Sequence, residues 1–178
     1  MTAANMTSGV DAAKRYAEKY GAERSVQIRQ QIKKVGAEIG INFQLEGKTG
    51  WSGDAHRLIA YAGKKSPELQ NKMIDQLFAG YMEQNQDITD RNFLKAAAER
   101  AGLDKAEAEE ALNSEELLSQ VEAEFKQARQ RGITGVPNFV INNKYEIGGA
   151  QDASTFVDIF ERLKESSASK GRVEGNTC

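Results

Sequence analysis

Few side chains in this sequence could do covalent or acid–base chemistry. Its only cysteine is Cys178, the last residue, and its only histidine is His56. Thiol–disulfide exchange needs a thiolate of lowered pKa and a second cysteine that resolves the mixed disulfide. The sequence has no Cys-x-x-Cys motif. We therefore expect Cys178 to be an ordinary exposed thiol, and we predict no catalytic residue for dithiol chemistry.

His56 and Trp51 are candidates for contacts with a substrate. His56 falls on a predicted helix beside Asp54 and Arg57, where it could carry a proton or contact a ligand. The alternative, a polar residue at the edge of the helix, is favoured because no second metal ligand or nucleophile accompanies it. Trp51 lies in a glycine-containing loop, where it could line a ligand cleft or pack over a helix end. No metal site is predicted.

The tripeptide Gly135-Val136-Pro137 stands directly before a change in hydrophobic period. A proline cannot donate a hydrogen bond to a β-ladder, so it suits the first residue of a strand, and its peptide bond can be cis. The apolar period then falls from 3.6 to 2. This pattern predicts strands at Asn138–Ile141 and Lys144–Ile147, joined by a two-residue turn at Asn142-Asn143.

Helices are predicted for almost all of the chain before this hairpin. Their apolar faces, caps and glycine stops place them at Val10–Tyr20, Ser25–Ile39, Gly53–Ala62, from Ser66-Pro67, from Thr89 to Gly102, at Asp104–Leu112 and at Ser114–Arg131. A last helix starts near Asp152 or Ser154. An isolated two-stranded hairpin is marginally stable in water. The upstream sequence offers no convincing third strand, and Asn42–Leu45 is the only candidate. The predicted architecture therefore looks incomplete at its N-terminal side.

The composition favours a soluble globular protein. The 178 residues, 39% hydrophobic and 28% charged, fit one domain, or a small domain with a large insertion. The net charge of −2 gives no electrostatic reason to expect nucleic acid or an anionic membrane as partner. No apolar run approaches the roughly 20 residues of a transmembrane helix, and no secretory signal is visible. A single cysteine fits a reducing compartment, so we predict a cytoplasmic protein.

Several separated segments resemble, in the same order, the DsbA-like thioredoxin domain family and its FrnE-type branch. Related groups are the kappa-class glutathione transferases and the 2-hydroxychromene-2-carboxylate isomerases. The resemblance rests on Tyr16-Ala17-Glu18-Lys19-Tyr20-Gly21, Gly40-Ile41-Asn42-Phe43, Asp54-Ala55-His56-Arg57-Leu58-Ile59, Asp87-Ile88-Thr89, Ala98-Glu99-Arg100-Ala101-Gly102-Leu103, Gly132-Ile133-Thr134-Gly135-Val136-Pro137 and Lys144-Tyr145-Glu146-Ile147-Gly148-Gly149-Ala150-Gln151-Asp152.

The resemblance implies a cis Val136–Pro137 bond that exposes strand-edge backbone to a peptide or to glutathione. It also implies thiol–disulfide oxidoreduction or glutathione-dependent isomerisation as the family activity. The family's first strand, Cys-Pro-Trp-Cys-like motif, first helix and second strand have no counterpart in this sequence. We interpret this difference as either a natural loss or a truncation of the sequence.

We therefore predict a predominantly helical α+β protein with a partial thioredoxin-like (DsbA-type) fold and a large helical insertion domain. Residues 1–9 would be a flexible N-terminus, 10–131 the insertion, 132–165 the C-terminal part of the thioredoxin-like domain, and 166–178 a disordered tail.

Three functions stay open. The chain could be a FrnE-type family member without dithiol activity of its own, a non-enzymatic interaction protein (a pseudoenzyme) that dimerises through its hairpin, or a glutathione-dependent isomerase or transferase. The predicted partners are a peptide, a thiol-containing small molecule or a second copy of the chain. No cofactor is expected other than glutathione. The candidate substrate-binding residues are Val136, Pro137, Trp51 and His56.

Overall fold

The computed structural model describes the backbone of residues 9–171 and the side chains up to residue 165. Most of the predicted flexible N-terminus and Cys178 lie outside the described residues. In chain order the elements are β1 (Val10–Asp11), α1 (Ala12–Tyr20), α2 (Ala22–Glu38), β2 (Lys48–Thr49), α3 (Gly53–Lys65), α4 (Pro67–Phe78), a π-helical segment π1 (Ala79–Glu83), α5 (Arg91–Ala101), α6 (Lys105–Asn113), α7 (Glu115–Gln130), β3 (Asn138–Ile141), β4 (Tyr145–Gly148) and α8 (Ala153–Gly171).

The first helix begins later than the sequence predicts. Val10 and Asp11 pair with Thr49 and Lys48 in a short antiparallel ladder, so these two residues are extended rather than helical. The carboxylate of Asp11 then accepts a hydrogen bond from the Lys14 N–H at 2.7 Å and caps α1. This pairing joins segments almost forty residues apart, which is why helical periodicity alone gave the wrong start.

Helix α3 runs through Gly63, where the sequence predicts its end, and stops at Lys65. The stop comes from the capped start of α4, where the Ser66 hydroxyl accepts a hydrogen bond from the Leu69 N–H at 3.1 Å and Pro67 occupies the first turn. Proline disfavours helical backbone in the residue that precedes it. The predicted start of α4 is therefore confirmed, and it ends α3.

The buried apolar side chains of α3 to α6 pack into one cluster. Two further predicted helix ends are present: Asp104 and Glu107 form a complete capping box, and Gly102 closes α5 in a left-handed conformation. Helix α5 starts at Arg91 rather than Thr89, because the N–H and hydroxyl of Thr89 both donate to the Asp87 carboxylate. The largest fully buried side chains of the cluster are Leu58, Met73, Leu94 and Leu112.

The predicted hairpin is present. Phe139 pairs with Ile147 and Ile141 with Tyr145, and Asn142 and Asn143 have φ values of 54° and 53°, as a type I′ turn requires. The Phe139 ring packs edge-on against Phe156 of α8, with ring centroids 5.0 Å apart. Helix α8 thus contacts the hairpin at Phe139.

No third strand joins this hairpin within residues 9–171. The segment Asn42–Leu45, the only candidate in the sequence, forms no strand. The strand that follows it, β2, pairs with β1 in a separate ladder. The candidate segment Asn42–Leu45 therefore does not supply a third strand to the hairpin.

Helix α8 extends to Gly171, so the predicted disordered tail does not begin at Ser166. Residues 153–170 contain no proline or glycine. The serine, alanine and lysine residues near the end of α8 are compatible with a helix. The remainder of the predicted tail, residues 172–178, lies outside the described residues.

The chain divides into two compact units, with the boundary between Phe125 and Lys126 inside α7. The predicted boundary, at residues 131 and 132, lies at the end of the same helix. Across the described range, none of the helices has the length and apolar character needed to cross a bilayer. The predominance of helices with two short antiparallel ladders agrees with the predicted α+β class.

Candidate functional site

Val136 and Pro137 lie where the sequence predicts, directly before β3. The Val136–Pro137 peptide bond is cis, and the Pro137 carbonyl accepts a hydrogen bond from the Gly149 N–H at 2.8 Å. That bond closes the open end of the hairpin. The side chain of Val136, by contrast, is 89% exposed, although valine is among the residue types most often buried.

The backbone immediately before Pro137 lacks hydrogen bonds to the described part of the chain. Ile133 donates its N–H to the Ala128 carbonyl at 3.1 Å, and Pro137 is tied to Gly149. Between them, Thr134, Gly135 and Val136 have no backbone hydrogen bond to any residue in the described part of the chain. An exposed backbone segment of this kind can pair with an extended peptide. We call residues 134–136 the docking segment.

His56 lies on the first turns of α3, in the first unit. Its imidazole meets the ring of Phe125 nearly at a right angle, with centroids 5.0 Å apart. The same side of α3 borders a mostly polar groove of about 300 Å³ whose lining includes Lys64, Gln70 and Glu124. Partial burial lowers the pKa of His56, and the nearby Glu124 carboxylate opposes that effect. The partly covered imidazole is therefore mostly neutral near pH 7 and can donate or accept a hydrogen bond.

Asp54 and Arg57, the neighbours of His56 in sequence, belong to a different network. Arg57 is only 5% exposed and donates a hydrogen bond to the Leu112 carbonyl. The Asp54 carboxylate lies 3.5 Å from Arg57 Nη1 and accepts a hydrogen bond from Arg91 Nε at 2.8 Å. Sequence reasoning missed this network, although the i, i+3 spacing of an acid and a base was a visible signal.

Trp51 packs over the start of α3. A Cβ atom added at Gly53, the first residue of the helix, would overlap the indole ring, so the ring lies directly against the Gly53 backbone. Trp51 therefore packs over a helix end, and its role as a ligand contact stays a prediction. Trp51 and His56 both belong to the first unit, whereas Val136 and Pro137 belong to the second.

Within the described part of the chain, no group of three His, Cys, Asp or Glu side chains could hold a metal ion. The chemistry available at these positions is therefore hydrogen bonding by exposed backbone at the docking segment and by one neutral imidazole at His56.

The fold is that of a known protein family. A model of the DsbA-like thioredoxin domain matches residues 2–161. The chain belongs to that family. A crystal structure of a probable DsbA oxidoreductase from Streptomyces coelicolor matches with a TM-score of 0.77 and 25% sequence identity, over 86% of this chain and 67% of the other. The predicted DsbA-type fold class is thereby confirmed. No curated protein matches the DsbA-like chain in sequence.

Proposed function

We propose that this DsbA-like protein is a FrnE-type member of its family that binds an extended, thiol-containing ligand at the docking segment. The observation that carries the proposal is the state of Val136: its side chain is 89% exposed and its backbone N–H and carbonyl have no partner within the described residues. A ligand in extended conformation would accept a hydrogen bond from the N–H and donate one to the carbonyl.

The thiol belongs to the ligand in this proposal, because dithiol exchange requires two cysteines close together. The sequence has one, Cys178. Glutathione and cysteine-containing peptides combine a peptide backbone with a thiol, so both fit the docking segment by the same hydrogen bonds. His56 is a secondary candidate for a polar ligand contact, since its exposed imidazole borders a groove.

The test is an NMR titration of the isotopically labelled protein with reduced glutathione and, separately, with an unstructured cysteine-containing peptide. We expect the amide signals of Val136 and of the first residues of β3 to shift in a saturable way. Val136→Pro removes the N–H donor and should abolish the shifts. Val136→Ala, the matched control, keeps the backbone donor and should bind within about threefold of the original chain. Equal binding by Val136→Pro would contradict the proposal.

An insulin-reduction assay tests the absence of dithiol activity. With dithiothreitol as reductant, the chain should not accelerate insulin precipitation, and Cys178→Ser should behave in the same way. An acceleration that disappears in Cys178→Ser would show that the single thiol is redox-active and would overturn this part of the proposal.

A second candidate function, a non-enzymatic interaction protein that forms a homodimer, is favoured by the apolar surface of the second unit. Phe139 and Val140 of β3 and Val157 and Phe160 of α8 are exposed. The outer edges of β3 and β4 are also unpaired within the described residues. Exposed strand edges pair readily with other strands.

Light scattering coupled to size-exclusion chromatography tests this candidate. A dimer that Val140→Lys converts to a monomer would support it. Val26→Lys, the same change at an exposed valine of the first unit, should leave the dimer intact. A monomer at all protein concentrations would exclude the dimer and would leave the docking proposal untouched.

A further inference from the structure

The first unit contains an apolar cavity that the proposed function does not use. It has a volume of about 210 Å³ and lies among α1, α2, the loop before β2, and π1. None of its lining side chains is charged. Six large side chains of types that are common in protein cores line it, and all of them are only half-buried. They are Tyr16, Ile32, Phe43, Leu45, Tyr81 and Met82.

One wall of the cavity is a loop that hydrogen bonds hold in place. Gln44 donates its N–H to the Met82 carbonyl at 2.8 Å, and Glu46 donates its N–H to Asn85 Oδ1 at 2.9 Å. Between these two anchors, Leu45 has a φ of 58°, a left-handed conformation that a bulky side chain rarely adopts. Strained residues held by their surroundings are frequent at ligand sites.

A second wall, hydrogen-bonded to this loop at the Met82 carbonyl, is π1. The extra residue of a π-helical turn shifts the side chains that follow it, and such turns are frequent at functional sites. Here the turn includes Tyr81 and Met82, both of which line the cavity. The Tyr81 hydroxyl donates a hydrogen bond to Thr49 Oγ1 at 3.0 Å, which fixes the ring. The cavity is therefore bounded on two sides by backbone of unusual conformation.

We propose that this cavity binds a small uncharged aromatic molecule that has either one ring or two fused rings. The absence of charged lining groups disfavours an ionised ligand, because burying a charge without a partner is costly. The rings of Tyr16, Phe43 and Tyr81 offer edge-to-face and stacked contacts that an aromatic ligand uses better than an aliphatic one. The volume suffices, since an apolar protein cavity of about 150 Å³ is known to bind benzene.

Indole is the probe for the test, followed by NMR on the full chain. We expect saturable shifts for residues around the cavity, with a Kd of about 0.1–1 mM, given the few atoms of the ligand. Indole-3-carboxylate has nearly the same ring shape but carries a charge, and it should bind at least about tenfold more weakly.

Two variants connect binding to the cavity. Leu45→Asn replaces an apolar wall by an amide, and asparagine tolerates the left-handed backbone, so the fold should persist while indole affinity falls at least about fivefold. Ala12→Leu should fill the space from the side of α1 and also weaken binding. Val35→Asn, at an exposed position of α2 outside the cavity, is the matched control and should bind as the original chain does.

Three results would overturn the proposal. These are an absence of indole-induced shifts around the cavity, binding of indole to Leu45→Asn as tight as to the original chain, and binding of the carboxylate as tight as that of indole. Ala12→Leu could itself unfold the first unit. The decisive variant is therefore Leu45→Asn, because its NMR spectrum shows directly whether it is folded.

Discussion

The imidazole of His56 meets the ring of Phe125 edge-to-face, with centroids 5.0 Å apart and planes 88° apart. The contact joins α3 to α7 across a wide sequence separation. The Phe125 ring also covers part of the imidazole, and burial lowers the pKa of His56 below its usual 6.5.

The first prediction concerns this pKa. Phe125→Ala uncovers the imidazole and should raise the pKa of His56 toward 6.5, whereas Glu124→Gln removes the opposing carboxylate and should lower the pKa further. Because His56 is the only histidine, its NMR titration is free of overlap. The same pKa after Phe125→Ala would show that the aromatic contact does not cause the shift.

The lowered pKa also sets the sign of a pH effect. The unfolded chain binds a proton at His56 more readily than the folded one, so this residue favours the folded state above pH 6.5. That contribution is lost as the pH falls from 6.5 through the lower folded pKa. Urea unfolding of the original chain and of His56→Gln between pH 5 and 8, where His titrates, should show a smaller pH dependence in the variant.

The second prediction concerns the buried guanidinium of Arg57. Arg57→Met removes one partner of Asp54 and the donor to the Leu112 carbonyl. We expect a loss of about 1–3 kcal/mol in the free energy of unfolding, because the buried hydrogen bond to Leu112 and the ion pair with Asp54 are lost, whereas Arg91 still donates to both groups. The exposed pair Lys64–Glu116 provides the control: Lys64→Met should cost less than about 1 kcal/mol. Equal losses would mean that the Arg57 network does not stabilise the fold.

The third prediction compares two glycine-to-alanine changes in one helix. Gly53→Ala forces the Trp51 ring away, because the new methyl group would overlap the indole, and should cost about 1–3 kcal/mol. Gly63→Ala meets only the flexible end of the Gln70 side chain and should be neutral or stabilising by up to about 1 kcal/mol. Fluorescence of Trp51, the only tryptophan, should shift to longer wavelength in Gly53→Ala alone. A shift in both variants would contradict the assigned packing.

The fourth prediction concerns the hairpin turn. Asn143 has a φ of 53°, so Asn143→Gly should stabilise the turn, because glycine adopts this conformation without strain. Asn143→Val should destabilise it by about 1–2 kcal/mol. Amide hydrogen exchange across Phe139–Ile147 measures the local effect: exchange should slow in the glycine variant and accelerate in the valine variant. Faster exchange in both would mean that the asparagine side chain itself holds the turn.

Local features could be predicted from the sequence. The cap at Ser66, the capping box at Asp104, the left-handed Gly102 and the Asn142-Asn143 turn all occur where their residue types indicated. Each depends on a few neighbouring residues and on backbone conformations that those residue types favour. The resemblance to the DsbA-like family was also visible, because it rests on ordered motifs along the chain.

Contacts between distant segments were decided by the tertiary structure alone. The pairing of Val10 with Thr49, the burial of Arg57 and the placement of His56 against Phe125 have no local signal. Leu45 is a further case. The hydrogen bonds that Gln44 and Glu46 donate to Met82 and Asn85 hold the loop in a conformation that leucine by itself disfavours. The local conformational preference of a residue is overcome here by packing and hydrogen bonds that only the assembled fold supplies.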